Sequence, residues 1–174
     1  MPLANTVHTY GRKLKDQRWT LARWRLRTER ALLSVGGRQR PRASGRVLSY
    51  HSTGTPEWGV NDVAPGALLA QFNEAHRLGY SFVPASRVAD GLSGPRELAV
   101  TFDDGLRSIM AVTPALKALG IPFTVFVVTD WASDPGERFL SWGDLERLAA
   151  AGAEIGSHSR SHPNFRDLPE SLRI

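Results

Sequence analysis

Residues 123–128 read Phe-Thr-Val-Phe-Val-Val, a run in which every residue is β-branched or aromatic. Apolar and polar residues do not alternate through it, so a strand formed here must be covered on both faces. The surrounding sequence supplies the covering layers. The spacing predicts a helix over 65–78, with Pro65 in its first turn and Gly79 at its end. A second helix is predicted over 107–119, with Ile109, Val112, Leu116 and Leu119 on one face and Gly120 as the stop. A third runs from the cap Ser141 to Ala151, with Asp144 as its capping-box partner. Between them lie short strands at 47–51, 81–83, 97–102 and 153–156, and a short helix or turn near 85–90. Alternation at this spacing implies a parallel sheet with helices outside. Period alone does not say whether the sheet closes into a barrel. In either case chemistry belongs at the carboxyl ends of the strands.

Charge separates the chain into two parts. Of its 22 Lys and Arg, twelve fall in residues 10–46 against only two acids, and the remainder of the chain is net acidic. The basicity therefore belongs to an N-terminal leader, expected as residues 1–45, and the domain to 46–174. Residues 36–45 have the Gly, Pro and Ser content of a linker. The longest apolar stretch in the leader is Ala31-Leu32-Leu33, too short for a secretory signal, so a cytoplasmic or membrane-peripheral location is expected over export. The leader reads as an Arg-rich, poorly amphipathic helix suited to weak membrane-surface contact. Nucleic acid is not expected as a partner, because that reading leaves the polar clusters of the domain unused. With no cysteine, disulfides and thiolate metal sites are excluded.

Those clusters stand at predicted strand exits. Asp103-Asp104-Gly105 follows one strand, His51 another, and His158 and His162 the last. Adjacent aspartates at a strand end point different ways, so one can bind a cation while the other accepts a proton. Asp-Asp-Gly is also good turn chemistry and needs no ion. If residues 157–162 form one helical turn, both imidazoles lie on one face, suited to a single zinc-like ion. The same pair reads equally well as two solvated polar side chains. Trp131 lies on a predicted loop near the mouth, where a sugar could stack, whereas Trp142 at a helix start and His76 on a helix surface read as structural.

Thr-Phe-Asp-Asp-Gly at 101–105, followed some fifty residues later by Glu-Ile-Gly-Ser-His-Ser-Arg-Ser-His-Pro-Asn-Phe at 154–165, resembles the first two motifs of the NodB-type polysaccharide deacetylases, carbohydrate esterase family 4. The resemblance covers roughly residues 46–165. It implies an α/β fold, an incomplete and distorted (β/α) barrel. It implies Asp104, His158 and His162 as ligands of a divalent metal, zinc first, and Asp103 as the general base. The implied substrate is an N-acetylated polysaccharide or glycan, and the implied reaction is metal-dependent removal of its acetyl groups.

Three further motifs of the family do not occur before Ile174: an Arg segment that orients the base, a Trp-bearing groove wall and a Leu-x-His carrying the general acid. The chain is therefore expected to be truncated at its C-terminus, and the alternative is an inactive relative that only binds glycan. Residues 47–52, Val-Leu-Ser-Tyr-His-Ser, resemble a strand that a poly-N-acetylglucosamine deacetylase subgroup carries circularly permuted to its N-terminus. In that arrangement His51 stands in for the general acid.

Overall fold

The computed structural model describes residues 44–58 and 61–172. The basic leader lies outside the described residues except for its last two. The strands are β1 (Arg46–Tyr50), β2 (Ser81–Phe82), β3 (Glu97–Phe102), β4 (Phe123–Val127) and β5 (Glu154–Ser157). The α-helices are α1 (Pro65–Arg77), α2 (Ala85–Ala89), α3 (Thr113–Ala118), α4 (Thr129–Ser133) and α5 (Trp142–Ala150). All strand pairings are parallel, in the order β1-β3-β4-β5, with β2 alongside the first two residues of β3. Leu98 is the register partner of both Arg46 and Phe82, so β2 occupies the edge of β3 opposite β1. The described sheet is open, with β1 and β5 as its outer strands. The parallel sheet is the one that the alternation implies, and its open form is the incomplete barrel that the family resemblance implies.

The doubly covered run became β4, in which Phe123, Thr124, Val125 and Val127 are buried. It shares the core with Val100 and Phe102 of β3, Leu68 and Phe72 of α1, Leu116 of α3, and Leu145 and Leu148 of α5. Burying each such side chain contributes about 1.5–3 kcal/mol. Helix α5 begins as expected. Asp144 N–H donates to Ser141 Oγ, and Ser141 N–H donates to Asp144 Oδ2, completing the capping box. Gly79 ends the chain's exit from α1 in the left-handed region, at φ 78°. No helix among the described residues is long and apolar enough to cross a membrane.

The single helix expected over 107–119 is two elements, a 3-10 turn at Arg107–Ala111 and then α3. Pro114 supplies no N–H, so an α-helical ladder cannot pass through that position from the preceding turn. Trp131, expected on a loop, lies in α4. Trp142 does not pack into the core. It is 49% exposed, and its Nε1 donates to Ser133 Oγ. His76 is exposed on α1, as expected, and its ring stacks on Phe82.

Candidate metal centre

The parallel sheet delivers its polar strand exits to one end. Two backbone bonds extend the ladders past the strands: Asp103 N–H donates to Tyr50 O, and His158 N–H donates to Val127 O, both at 2.8 Å. The first aligns the exit of β3 with that of β1, and the second aligns the exit of β5 with that of β4.

After Asp103 the backbone turns through two left-handed residues, Asp104 at φ 69° and Gly105 at φ 64°. Asp and Gly are the types that enter this region most readily. The turn is tied down from outside, because Leu140 N–H donates to Gly105 O and Arg107 N–H donates to Arg138 O. The motif is a turn, and the turn places Asp104 Oδ1 within 3.4 Å of both imidazoles.

The histidines converge differently from the expected helical turn. His158 leaves β5 extended, and the chain then doubles back through Ser159 at φ 71° and His162 at φ 53°. No helix forms at these residues. Instead His162 N–H donates to Ser159 Oγ, a local side-chain bond of the kind that competes with helix. The spacing of four still brings the rings together, with centroids 5.1 Å apart.

Asp104 Oδ1 lies 3.4 Å from His158 Nε2 and 3.3 Å from His162 Nε2. That oxygen is buried and accepts no hydrogen bond. A carboxylate oxygen in such a state is costly unless a cation or donor satisfies it. Ligand atoms about 2.0–2.2 Å from a tetrahedral ion stand roughly 3.3–3.6 Å from one another. Both observed separations fall in that range, and all three ligand atoms lie within 4.8 Å of one another. The donor set fits a divalent cation of the zinc type, and three protein ligands leave a coordination position open. The His158 and His162 side chains are 35% and 47% exposed, so the histidine side of the centre faces solvent.

Asp103 is not part of this triad. Its Oδ2 accepts a 2.6 Å hydrogen bond from Ser49 Oγ on β1. The neighbouring acids therefore have separate environments, one against the imidazoles and one against a hydroxyl. His51 follows β1 at the same end of the sheet and is half-buried, and its side chain makes no hydrogen bond or ion pair among the described residues. The structure thus brings Asp104, His158 and His162 together, sets Asp103 next to Asp104 in the chain, and joins His51 to none of them by a hydrogen bond or ion pair.

One site residue escaped the sequence: Ser49, which lies in the Val-Leu-Ser-Tyr-His-Ser segment but is given no role there. Trp131, singled out as a place where a sugar could stack, has its ring centroid 5.3 Å from that of His162.

Comparison with known proteins bears on the family and the fold. The polysaccharide deacetylase family model matches residues 91–174. An uncharacterized protein of Streptomyces coelicolor is 32% identical over 72 residues, which are 41% of this chain and 26% of that protein. A polysaccharide deacetylase from Bacillus cereus superposes with a TM-score of 0.61 at 22% identity, covering 73% of this chain and 42% of that one. The Streptococcus pyogenes deacetylase PplD, solved in complex with acetate, gives 0.64 at 22% identity, covering 76% of this chain and 63% of that one. The chain thus spans less than two thirds of the length of each. The stretch that is similar to the polysaccharide deacetylase family takes in the Asp-Asp-Gly turn and both histidines, and the superpositions share the fold.

Proposed function

We propose that this chain carries the metal-binding site of a hydrolase that removes N-acetyl groups from a polysaccharide or glycan containing N-acetylhexosamine. The observation that carries the reading is the buried, unpartnered Asp104 Oδ1 set between His158 Nε2 and His162 Nε2. These three residues would hold a divalent ion, with zinc the first choice for two imidazoles and a carboxylate. Such an ion supplies Lewis acidity, lowering the pKa of a water toward 7 and polarising an acetyl carbonyl.

The remaining chemistry falls to the chain's own side chains. Asp103 accepts the proton of the attacking water, and the Ser49 hydrogen bond holds one of its oxygens so that the other is free for that task. His51, beyond Tyr50 at the same sheet end, is assigned the proton delivered to the departing amine. An amine leaves poorly without that proton, whereas an activated phenol leaves without it. His51→Ala should therefore cost roughly 10²–10⁴-fold on an N-acetyl sugar and far less on a phenyl acetate. Equal losses on both substrates would remove His51 from the reaction.

The experiment for the function is acetate and free-amine release from N-acetylglucosamine oligomers, with zinc and after chelation. Zinc-dependent release is expected. A chain that takes up zinc and binds the oligomers without releasing acetate is instead a glycan-binding relative. A chain that takes up no zinc or cobalt at neutral pH overturns the centre itself.

A further inference from the structure

Metal-ligating histidines are ordinarily oriented by a hydrogen bond from the ring nitrogen that does not face the metal, given to a carboxylate, a carbonyl or water. With Nε2 turned toward Asp104 in both His158 and His162, that duty falls to Nδ1. Neither Nδ1 has a protein hydrogen-bond partner among the described residues. His162 is also the more exposed of the two and sits at a left-handed backbone position, so its ring needs a restraint from elsewhere.

Helix α4 supplies one. Trp131 lies against His162, with centroids 5.3 Å apart and planes inclined by 32°. Trp131 in turn stacks on Phe139, at 4.6 Å and 28°. Phe139 belongs to the segment whose backbone is bonded to the Asp104 turn, through its bridge with Leu106 and through Leu140 N–H to Gly105 O. The rings therefore link the carboxylate turn to the imidazole loop through a continuous stack. The same helix holds the loop backbone: Thr129 N–H donates to Ser159 O at 3.3 Å, and Asp130 N–H to Arg160 O at 2.9 Å. Arg160 Nε also donates to Asp130 Oδ1 at 3.2 Å.

We infer that Trp131 is a positioning residue for the metal ligand His162, orienting the imidazole by ring contact in place of the hydrogen bond that is absent, with Phe139 as its backing. This rests on the metal centre proposed above. It gives Trp131 a duty toward the ion through His162, and a sugar need not touch it.

The test uses the full chain and cobalt(II) alone. Trp131→Leu, which keeps apolar volume without a ring, should weaken cobalt binding about 10–100-fold, the usual effect of losing an outer partner of a ligand. Trp131→Phe should restore affinity to near the wild-type value. Trp142→Phe, half-exposed on α5, should leave it unchanged. Cobalt should also quench part of the tryptophan emission of the wild-type chain, and Trp131→Phe should abolish most of that quenching. If Trp131→Leu binds cobalt as the wild type does and loses only thermal stability of the metal-free chain, Trp131 is packing and the inference fails. If Trp131→Leu does not fold, the Phe variant decides, since undiminished quenching places the metal away from Trp131. A wild-type chain that takes up no cobalt overturns the centre and this inference together. Uptake that is indifferent to Trp131 overturns this inference alone.

Discussion

The exits of β3 and β5 deliver ligands to the same point by opposite means. β3 runs between β1 on one edge and β2 and β4 on the other, and its last five residues are buried. Asp104 therefore leaves a rigid element after one tight turn and is 19% exposed. β5 is a four-residue outer strand with no fully buried residue, and its two histidines are held from outside by α4. A core strand can place a ligand at the cost of a turn with two left-handed residues, one of them glycine. An outer strand needs a brace. The histidine side of the centre is consequently the side where substitutions outside the ligand set should be felt.

The largest expected effect comes from the core side. Asp104→Asn should weaken zinc or cobalt binding by more than the 10–100-fold of an outer-partner change, about the most that bracing residues can account for. Metal-free Asp104→Asn should melt no lower than the metal-free wild type, because it removes a buried charge whose Oδ1 accepts no hydrogen bond. A marked fall in its melting temperature would mean that Asp104 is structural. Next comes its neighbour. Asp103→Asn should retain cobalt stoichiometry and lose turnover roughly 10²–10⁴-fold, because an amide cannot take the proton of the water. Equal metal loss in both variants would erase the distinction between the two carboxylates.

A smaller effect probes the outer strand. Gly156 on β5 faces Phe126 on β4, and a Cβ built at Gly156 would lie 2.6 Å from the Phe126 ring. That ring is 6.4 Å from the His158 ring. Gly156→Ala should destabilise the fold by about 1–3 kcal/mol, the usual cost of forced overpacking, and also weaken cobalt binding as Phe126 shifts. Denaturant unfolding and cobalt titration would check the two halves, and an unchanged midpoint would contradict the contact.

The smallest effect lies away from the centre, at the α5 cap. Burial raises the Asp144 pKa, but the Ser141 hydroxyl and amide, Arg147 and Arg107 outweigh it and hold the carboxyl below its ordinary value. A depressed folded pKa adds stability above the unfolded value of about 3.9, and this is lost as pH falls through the folded value. Asp144→Asn should cost about 0.5–2 kcal/mol near neutrality, on the scale of a lost cap. The difference from wild type should shrink as pH falls below about 4. A constant difference across that range would assign the loss to packing.

The legible parts of the molecule were those that local chemistry decides. The unrelieved apolar run at 123–128 dictated a covered strand, and the Ser141–Asp144 pair dictated a helix start. Asp103, Asp104, His158 and His162 were visible because their residue types and strand-end positions are rare together. What escaped depends on partners distant in sequence. Periodicity over 107–119 concealed the break at Pro114, although the local rule for proline was there to be applied. Five residues are too few for a helical period, so α4 was not visible, and with it the contact of Trp131 with His162. The left-handed Ser159 and His162 are unfavourable for their residue types; beside the local Ser159 hydroxyl bond, the loop is held by the bonds from α4 to Ser159 and Arg160, which no local pattern announces.

The direct pairing of β1 with β3 has a consequence in time. Arg46 meets Leu98, 52 residues further on. At synthesis rates of about 5–20 residues per second, β1 spends on the order of 3–10 s without its pairing strand. Ser49, His51 and Asp103 can be aligned once β3 has emerged, but His158 and His162 are made another fifty-odd residues later. The side of the centre to which the proton transfers are assigned is therefore made before the side that completes the proposed metal site. Any nascent chain shorter than His162 exposes an Asp104 carboxylate with no complete ligand set to share an ion.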